Sequence, residues 1–339
     1  MNTPGNRSRF PGDPVSAPDL TAGLVADDLR SGADRMRDGL VTVTQRGDAT
    51  WTGPLDELVA ALVAVARVDL TLARLVEGHA DALRILDQAG RSPGAGVYGV
   101  WASRSAGTGV RAEIVDGGAH LRGELRFASG IGLIDRALVP GWVDEDHHLL
   151  FDIDAGTATV DESTWRTAAM DASRSFTVAL DVDGGEPIGP TDFYLQRPGF
   201  VVGGLCVAAV WTGGLQQVLD LVTSGIRAFR PSAHQLRRIG VMEQARWQAQ
   251  VAMEAAVQAV TTERAGWADA VAHARTAVAT GCDEVVDQAA KVVGPGGLSR
   301  NGRLARAIAD LGIYVRQHHT DLELEQAGRR ALETHSLLG

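Results

Sequence analysis

The 339-residue sequence has only two cysteines, Cys206 and Cys282, each in an apolar helical setting, and no C-x-x-C pair. A disulfide framework is excluded and a structural zinc site has no ligand spacing to use; two buried thiols in a reducing compartment are the expectation. Positive charge is outweighed, with 32 Lys and Arg against 42 Asp and Glu and a net charge of -10. That balance argues against nucleic acid or an anionic membrane surface as a bulk partner. No stretch supplies the roughly 20 uninterrupted apolar residues of a membrane span. There is no Walker A or Rossmann glycine fingerprint and no nucleophile elbow with a Ser-His-Asp set. Met1 to Pro18 is rich in Pro, Ser, Asn and Arg and lacks the apolar core of a signal peptide. It reads as a mobile tail, and the protein as cytoplasmic.

What is present changes period twice. Residues 19–95 read as a short N-terminal helical region: Leu55, Leu58, Val59, Leu62 and Val63 recur at helical spacing, and Leu72, Leu75 and Ala80 continue it. Gly90, Pro93, Gly94 and Gly96 then break the pattern. Residues 96–202 read as a β-domain. In Leu121 to Phe127, positions 121, 123, 125 and 127 are apolar or small and alternate with Arg122, Glu124 and Arg126, the pattern of a half-buried strand. Runs at 137–143, 148–153, 157–160 and 176–182 are further short strands, and Asp116-Gly-Gly118 and Asp183-Gly-Gly185 are turns, so an antiparallel barrel or sandwich is expected. Residues 203–339 return to long helices. Leu205 to Val222 is apolar almost all round; Arg237 to Val260, a stripe from Val271 to Val292, then Leu304 to Val315 and Leu322 to Leu332 complete an antiparallel bundle. Gly294-Pro-Gly-Gly297 reads as a helix end. Asp144-Glu-Asp-His-His148 runs consecutively through a turn, so its side chains do not converge and no metal site is expected.

Helices, strands, then a helical bundle is an uncommon order, and four segments in that order resemble the acyl-CoA dehydrogenase flavoproteins. Gly123-Glu-Leu-Arg-Phe-Ala-Ser-Gly130, followed by Asp135, resembles the family strand that packs an aromatic by the isoalloxazine and sets a hydroxyl near flavin N5; Phe127 and Ser129 match those positions. Trp165-Arg-Thr-Ala-Ala-Met170-Asp-Ala-Ser173 resembles Trp-x-x-x-Gly-Met-Arg-Ala-Ser/Thr, with Ala169 and Asp171 departing from it and Trp165 expected against the flavin. Arg197-Pro-Gly-Phe200, Gly203-Gly204 and Trp211 resemble the crossover into the bundle. Gly294-Pro-Gly-Gly-Leu298 with Arg303, Arg306 and Asp310 resembles the Gly-Gly-x-Gly loop and the Arg-Asp helix, the loop reaching the ADP half of the cofactor in a neighbouring subunit. Gly296 and Gly297 would there present main-chain N–H groups to phosphate.

The resemblance implies an α+β fold, FAD as cofactor, a homodimer or homotetramer, and an acyl-CoA or acyl-carrier thioester as substrate. An electron acceptor or a flavin reductase would be the redox partner. Ala102 to Thr108 stands where the family has Thr-Glu-Pro-x-x-Gly-Ser; Gly107 and Thr108 fit, Thr108 being a substrate contact and Ser103 or Ser105 a cofactor contact. The catalytic carboxylate of the family is missing. Counting on from Asp310 brings His318 to its place, beside His319, and histidine titrates near neutrality. Family members with a histidine in this stretch include two-component flavin monooxygenases, which keeps oxygenation open as an activity. Glu254 and Glu243, on an earlier helix, are alternative bases. A flavin-free, repurposed member of the fold is the third reading. His318 is expected to face one pocket with Phe127, Ser129 and Trp165, and His319 to turn away.

Overall fold

A computed structural model describes residues 20–104, 107–226 and 230–336. The tail expected over 1–18 and Ser105 lie outside the described residues. Five helices come first: α1 Ala26–Leu29, α2 Ala33–Arg46, α3 Asp48–Trp51, α4 Leu55–Val68 and α5 Leu70–Gln88. Asp69 caps α5, its side chain accepting the Leu72 amide, which satisfies a donor that the first turn leaves unpaired. Apolar residues cover most faces of α5, so it runs through the interior, with Leu72, Ala73, Val76, Ala82 and Ile85 at zero exposure.

Seven strands follow: β1 Tyr98–Val100, β2 Gly109–Val115, β3 Gly118–Ala128, β4 Arg136–Trp142, β5 His148–Asp154, β6 Thr159–Asp161 and β7 Phe176–Asp183. They form one sheet in the order β1-β4-β2-β3-β7-β6, with β5 on β4. Most pairs are antiparallel; β4 runs parallel to β1 and β2. In β3 the period-two reading holds for Leu121 and Leu125, which are buried. It fails at Phe127. The β3–β7 register shifts between Leu125 and Ala128, and this bulge turns Phe127 outward, 53% exposed, at φ 60°. One extra residue reverses the facing of everything beyond it. Gly123 is required: a Cβ there would lie 2.3 Å from the Gly109 carbonyl oxygen on β2.

The chain then passes through α6 Phe193–Gln196 into α7 Gly199–Ile226, α8 Ala233–Thr261, α9 Trp267–Arg300, α10 Gly302–Tyr314 and α11 Thr320–Ser336. By length and composition α7 is apolar enough to cross a membrane, with mean hydropathy 1.5, and it is the buried helix expected over Leu205 to Val222. It is the central helix here, packed by α4, α5, α8, α9 and α10. Gly294 breaks α9 with φ 64°, yet the helix resumes through Pro295 and runs to Arg300 rather than ending.

One buried ionic clamp ties the three layers. Arg30, beyond α1, bonds Asp69 at 2.7 Å and Asp310 of α10 at 2.7 Å. Asp310 in turn accepts the Met170 amide of the β-region at 2.6 Å. Burial raises the Asp310 carboxyl above its ordinary range, with Arg30 opposing. Asp310 is therefore what joins the bundle to the strands, a role for the family-like Arg-Asp helix that its sequence does not announce.

Candidate active site

Two recesses carry the candidate chemistry. The first is an open groove over β3, β6 and β7. Phe127 stands on its floor with Trp165 edge-on, ring centroids 6.4 Å apart. The Trp165 indole donates to the Ala169 carbonyl at 3.0 Å, which fixes the ring. Phe127 carries a left-handed backbone that a phenylalanine adopts at a cost of about 1–3 kcal/mol. An exposed aromatic held in a strained conformation beside a fixed indole, the two ring planes at 89°, is an apolar platform with a corner rather than a continuous flat surface.

Behind the platform the hydroxyls of Ser129, Ser175 and Ser173 form a chain, Ser129 to Ser175 at 2.8 Å and Ser175 to Ser173 at 2.7 Å, ending on the Met170 carbonyl. Ser175 lines the aromatic groove. Ser129 lines a small gap on the other side, together with Arg74, Gly78 and Val100. Those same three residues line the second recess, a cavity of about 490 Å³ between α5, β1, α7, α9 and α11. Ser129 thus lies between the two recesses, bonded to a residue of the groove, without lining either the groove or the cavity itself.

The cavity is strongly charged. Arg74 bonds Glu77 at 2.7 Å and Arg197 bonds Asp81 at 3.1 Å, the four side chains being mostly or fully buried. Burial pushes the Glu77 carboxyl up to about 7, with Arg74 only partly opposing; Asp81 is raised for the same reason. Apolar surface comes from Val100, Phe200, Val201, Val207 and Val271. Glycines in the first turns of α7 make room for the charges. A Cβ on Gly203 would sit 3.2 Å from the Asp81 carboxylate, and one on Gly204 would sit 2.9 Å from the Arg275 guanidinium.

No protein-family profile matches the chain, and no curated protein matches it significantly. Solved structures do. XiaF from Streptomyces sp., in complex with FADH2 and glycerol, superposes with a TM-score of 0.72 over 89% of this chain and 90% of that one, at 20% identity. Butyryl-CoA dehydrogenase from Megasphaera elsdenii gives 0.78 over 93% and 96%, at 15% identity. TdsC from Paenibacillus sp. A11-2, with FMN and indole, gives 0.77 over 94% and 97%, at 15% identity.

The chain has the acyl-CoA dehydrogenase-like fold.

Within that fold the sequence-selected residues separate into two groups. Phe127 and Trp165 line the groove, and Ser129 lies behind it on the hydroxyl chain. The two expected bases do not join them. His318 is buried, but its Nε2 pairs with the Thr276 hydroxyl at 3.1 Å and its ring packs on Trp211. It lines neither recess. The expectation that it faces the Phe127 pocket is corrected by local geometry: Val315–Gln317 is a 3-10 turn and His318 is extended, so the helical count from Asp310 loses its phase. Burial lowers the His318 pKa, and Arg275 adds to the shift; His319 is exposed. Glu254 lies on the exposed face of α8 and bonds Gln250, because Ala249, Met253 and Ala256 take the buried stripe. Glu243 is likewise exposed and pairs with Arg246.

Ser103 and Thr108 are half-buried in the loop before β2 and line neither recess. Gly296 and Gly297, beyond the α9 kink, also line neither in their own chain. The Asp144 carboxylate closes its turn by accepting the Asp146 and His147 amides, and among the described residues no group of three His, Cys, Asp or Glu gathers to hold a metal. Cys206 and Cys282 are free and buried. Arg74, Glu77, Asp81 and Arg275 belong to no motif in the sequence, and Arg197 is placed only in the crossover segment, not in a site. A signal existed for three of them: Arg74, Glu77 and Asp81 step by three and four along an otherwise apolar helix.

Proposed function

We propose that the protein is a flavin-dependent oxidoreductase, with the isoalloxazine on the Phe127–Trp165 platform and the substrate in the charged cavity. The observation that carries this is the hydroxyl chain behind the groove: Ser129 bonds Ser175 of the groove wall and lines the small gap that also touches Arg74, Gly78 and Val100 of the cavity. When bound, flavin supplies the two-electron chemistry that no side chain here can supply. Ser129 and its hydroxyl chain hold and orient a hydrogen bond at the ring. Glu77, poised near neutrality inside the cavity, accepts or returns the substrate proton, a role for which His318 and Glu254 are poorly placed. FAD is the flavin we favour. Gly296 and Gly297 would contact it from a neighbouring copy, and Ser103 or Thr108 would close over the site.

Within this class, an acyl-CoA or acyl-carrier thioester was the substrate first suggested by the resemblance. Two buried ion pairs in the cavity wall are poor company for a fatty acyl chain, since unpairing either leaves a buried charge. They favour a small polar substrate, and with it the second reading, a flavin monooxygenase supplied with reduced flavin by a reductase. The neighbours with FADH2 and with FMN and indole are in keeping with that reading. A homo-oligomer in the cytoplasm fits the exposed apolar Leu236, Trp247 and Val251 on α8.

The test is a titration of the purified chain with oxidised and, under anaerobic conditions, reduced FAD and FMN, followed by absorbance and fluorescence. Binding that Phe127→Ala and Trp165→Ala each weaken supports the site. Tight binding of the oxidised form supports the dehydrogenase, and selective binding of the reduced form supports the monooxygenase. A protein that binds neither form refutes both.

A further inference from the structure

The cavity wall carries four arginines, Arg74, Arg197, Arg275 and Arg330, and four carboxylates, Glu77, Asp81, Asp269 and Glu323, but they do not all pair. Arg74 is matched by Glu77 and Arg197 by Asp81. At the rim, Arg330 is matched by Asp269 at 3.0 Å. Arg275 on α9 also lines the cavity and has no such match. Its Nε is buried and has no hydrogen-bond partner among the described residues. Its guanidinium packs flat against the α7 backbone at Gly204, where any larger residue would displace it. Burial lowers its pKa, with the charge of Glu323 the one opposing influence, and no ion pair joins the two. A guanidinium desolvated without an acceptor costs free energy, and glycine at position 204 preserves that arrangement rather than relieving it.

We infer that Arg275 is the recognition group for a substrate carboxylate, so that the cavity takes a small organic monoanion with its apolar part against Val100, Phe200 and Val207. A planar guanidinium matches a carboxylate in two parallel hydrogen bonds. A monoanion is preferred to a phosphate dianion because, among the described residues, Arg275 is the one lining arginine without an ion pair, while the four carboxylates of the lining already equal its four arginines and Glu323 is itself unpaired. The other titratable and charged groups lining the cavity are Arg74, Glu77 and Asp81 from α5, Tyr194 and Arg197 from the α6 region, Asp269 from α9, and Glu323 and Arg330 from α11. The inference depends on the flavin reading only for calling the anion a substrate.

The full-length protein is titrated calorimetrically with phenylacetate, phenylacetamide and benzyl phosphate, and flavin binding is measured separately. Phenylacetate should bind about tenfold or more tightly than its amide and more tightly than the phosphate. Arg275→Gln should abolish the preference for the carboxylate, and Arg275→Lys should keep part of it. Flavin affinity should match wild type in both variants, and Arg275→Gln should melt no lower than wild type by circular dichroism. Equal binding of acid and amide, no binding of phenylacetate at millimolar concentration, or a carboxylate preference that survives in Arg275→Gln would each overturn the inference. A phosphate preference would assign the site to a phosphorylated ligand and overturn the carboxylate. If flavin fails to bind while the Arg275-dependent preference holds, the flavin reading falls and this inference stands.

Discussion

Replacing Arg30 with leucine should cost more stability than almost any other single change to a charged residue. Its guanidinium side chain is 6% exposed and lies between Asp69 and Asp310, whose side chains are 5% and 2% exposed. Removing it leaves two carboxylates facing one another in the interior with no cation, a change that costs about 3–5 kcal/mol in comparable buried pairs. In a chain of this size that lowers the melting temperature by on the order of 10 °C. The sign of the pH dependence follows from the same geometry. Asp310 is already raised by burial, and loss of Arg30 raises it further. A carboxyl with a raised folded-state pKa binds protons more readily when folded, so folding gains stability as pH falls. The deficit of Arg30→Leu should therefore shrink as the pH is lowered from 7 towards the ordinary carboxylate range. Asp310→Asn removes one charge but keeps an acceptor for the Met170 amide, and the double variant should cost less than the sum of the two. Calorimetric melting of the three variants across pH provides the check. An Arg30→Leu protein within about 1 kcal/mol of wild type, or a deficit that does not move with pH, would show that the clamp carries no such load.

Phe127→Gly should remove backbone strain and raise stability by up to about 1 kcal/mol while weakening flavin binding at least tenfold; a loss of stability, or unchanged flavin affinity, would remove the platform from the site. His79 accepts the Tyr98 amide through Nδ1, and burial lowers its pKa from 6.5 to about 4. That stability is present above pH 6.5 and is lost as pH falls towards 4, by roughly 3 kcal/mol; a His79→Asn protein should lose less than wild type over that interval in denaturant melts. Glu77 has the opposite sign, because its folded pKa of about 7 exceeds the ordinary 4.5: wild type should lose stability between pH 4.5 and 7 relative to Glu77→Gln, and parallel curves would return Glu77 to an ordinary carboxylate. Trp247→Glu on the exposed face of α8 should shift an oligomer towards monomer in light scattering, and a wild-type protein that is already monomeric at micromolar concentration would refute the assembly and the role of Gly296 and Gly297 together.

The order of helices, strands and helices was legible because it rests on period, and period depends on one segment at a time. The positions of Phe127, Ser129 and Trp165 came from motif resemblance, and their proximity is a consequence of the sheet pairing β3 with β7. Period failed wherever a local irregularity intervened. The bulge in β3 carried Phe127 out of its expected face, and the 3-10 turn at Val315–Gln317 carried His318 away from the count that selected it. Neither device has a composition signal of its own, since a bulge and a 3-10 turn are decided by what the neighbouring elements allow.

The charged cavity shows a different limit. On α5 the residues Arg74, Glu77 and Asp81 form a stripe that reads, by spacing alone, as the wet face of an amphipathic helix. In the folded chain that face is covered by α7 and α9, so the same spacing describes an interior recess. What separates a solvated stripe from a buried one is the company of other cations and carboxylates, and these come from Arg197 and Arg275, more than 100 residues away. A useful sign was nevertheless present. Gly203 and Gly204 stand side by side in an apolar helix, where glycine costs about 1 kcal/mol each relative to alanine. Two such positions are retained only where something large must approach the backbone, and in this protein it is the carboxylate of Asp81 and the guanidinium of Arg275. The second pair in the same helix, Gly213-Gly214, meets Ala66, Val63, Leu70 and Leu311 instead, so a glycine pair marks a close approach and the chemistry of the approaching group has to be read from the partner helix.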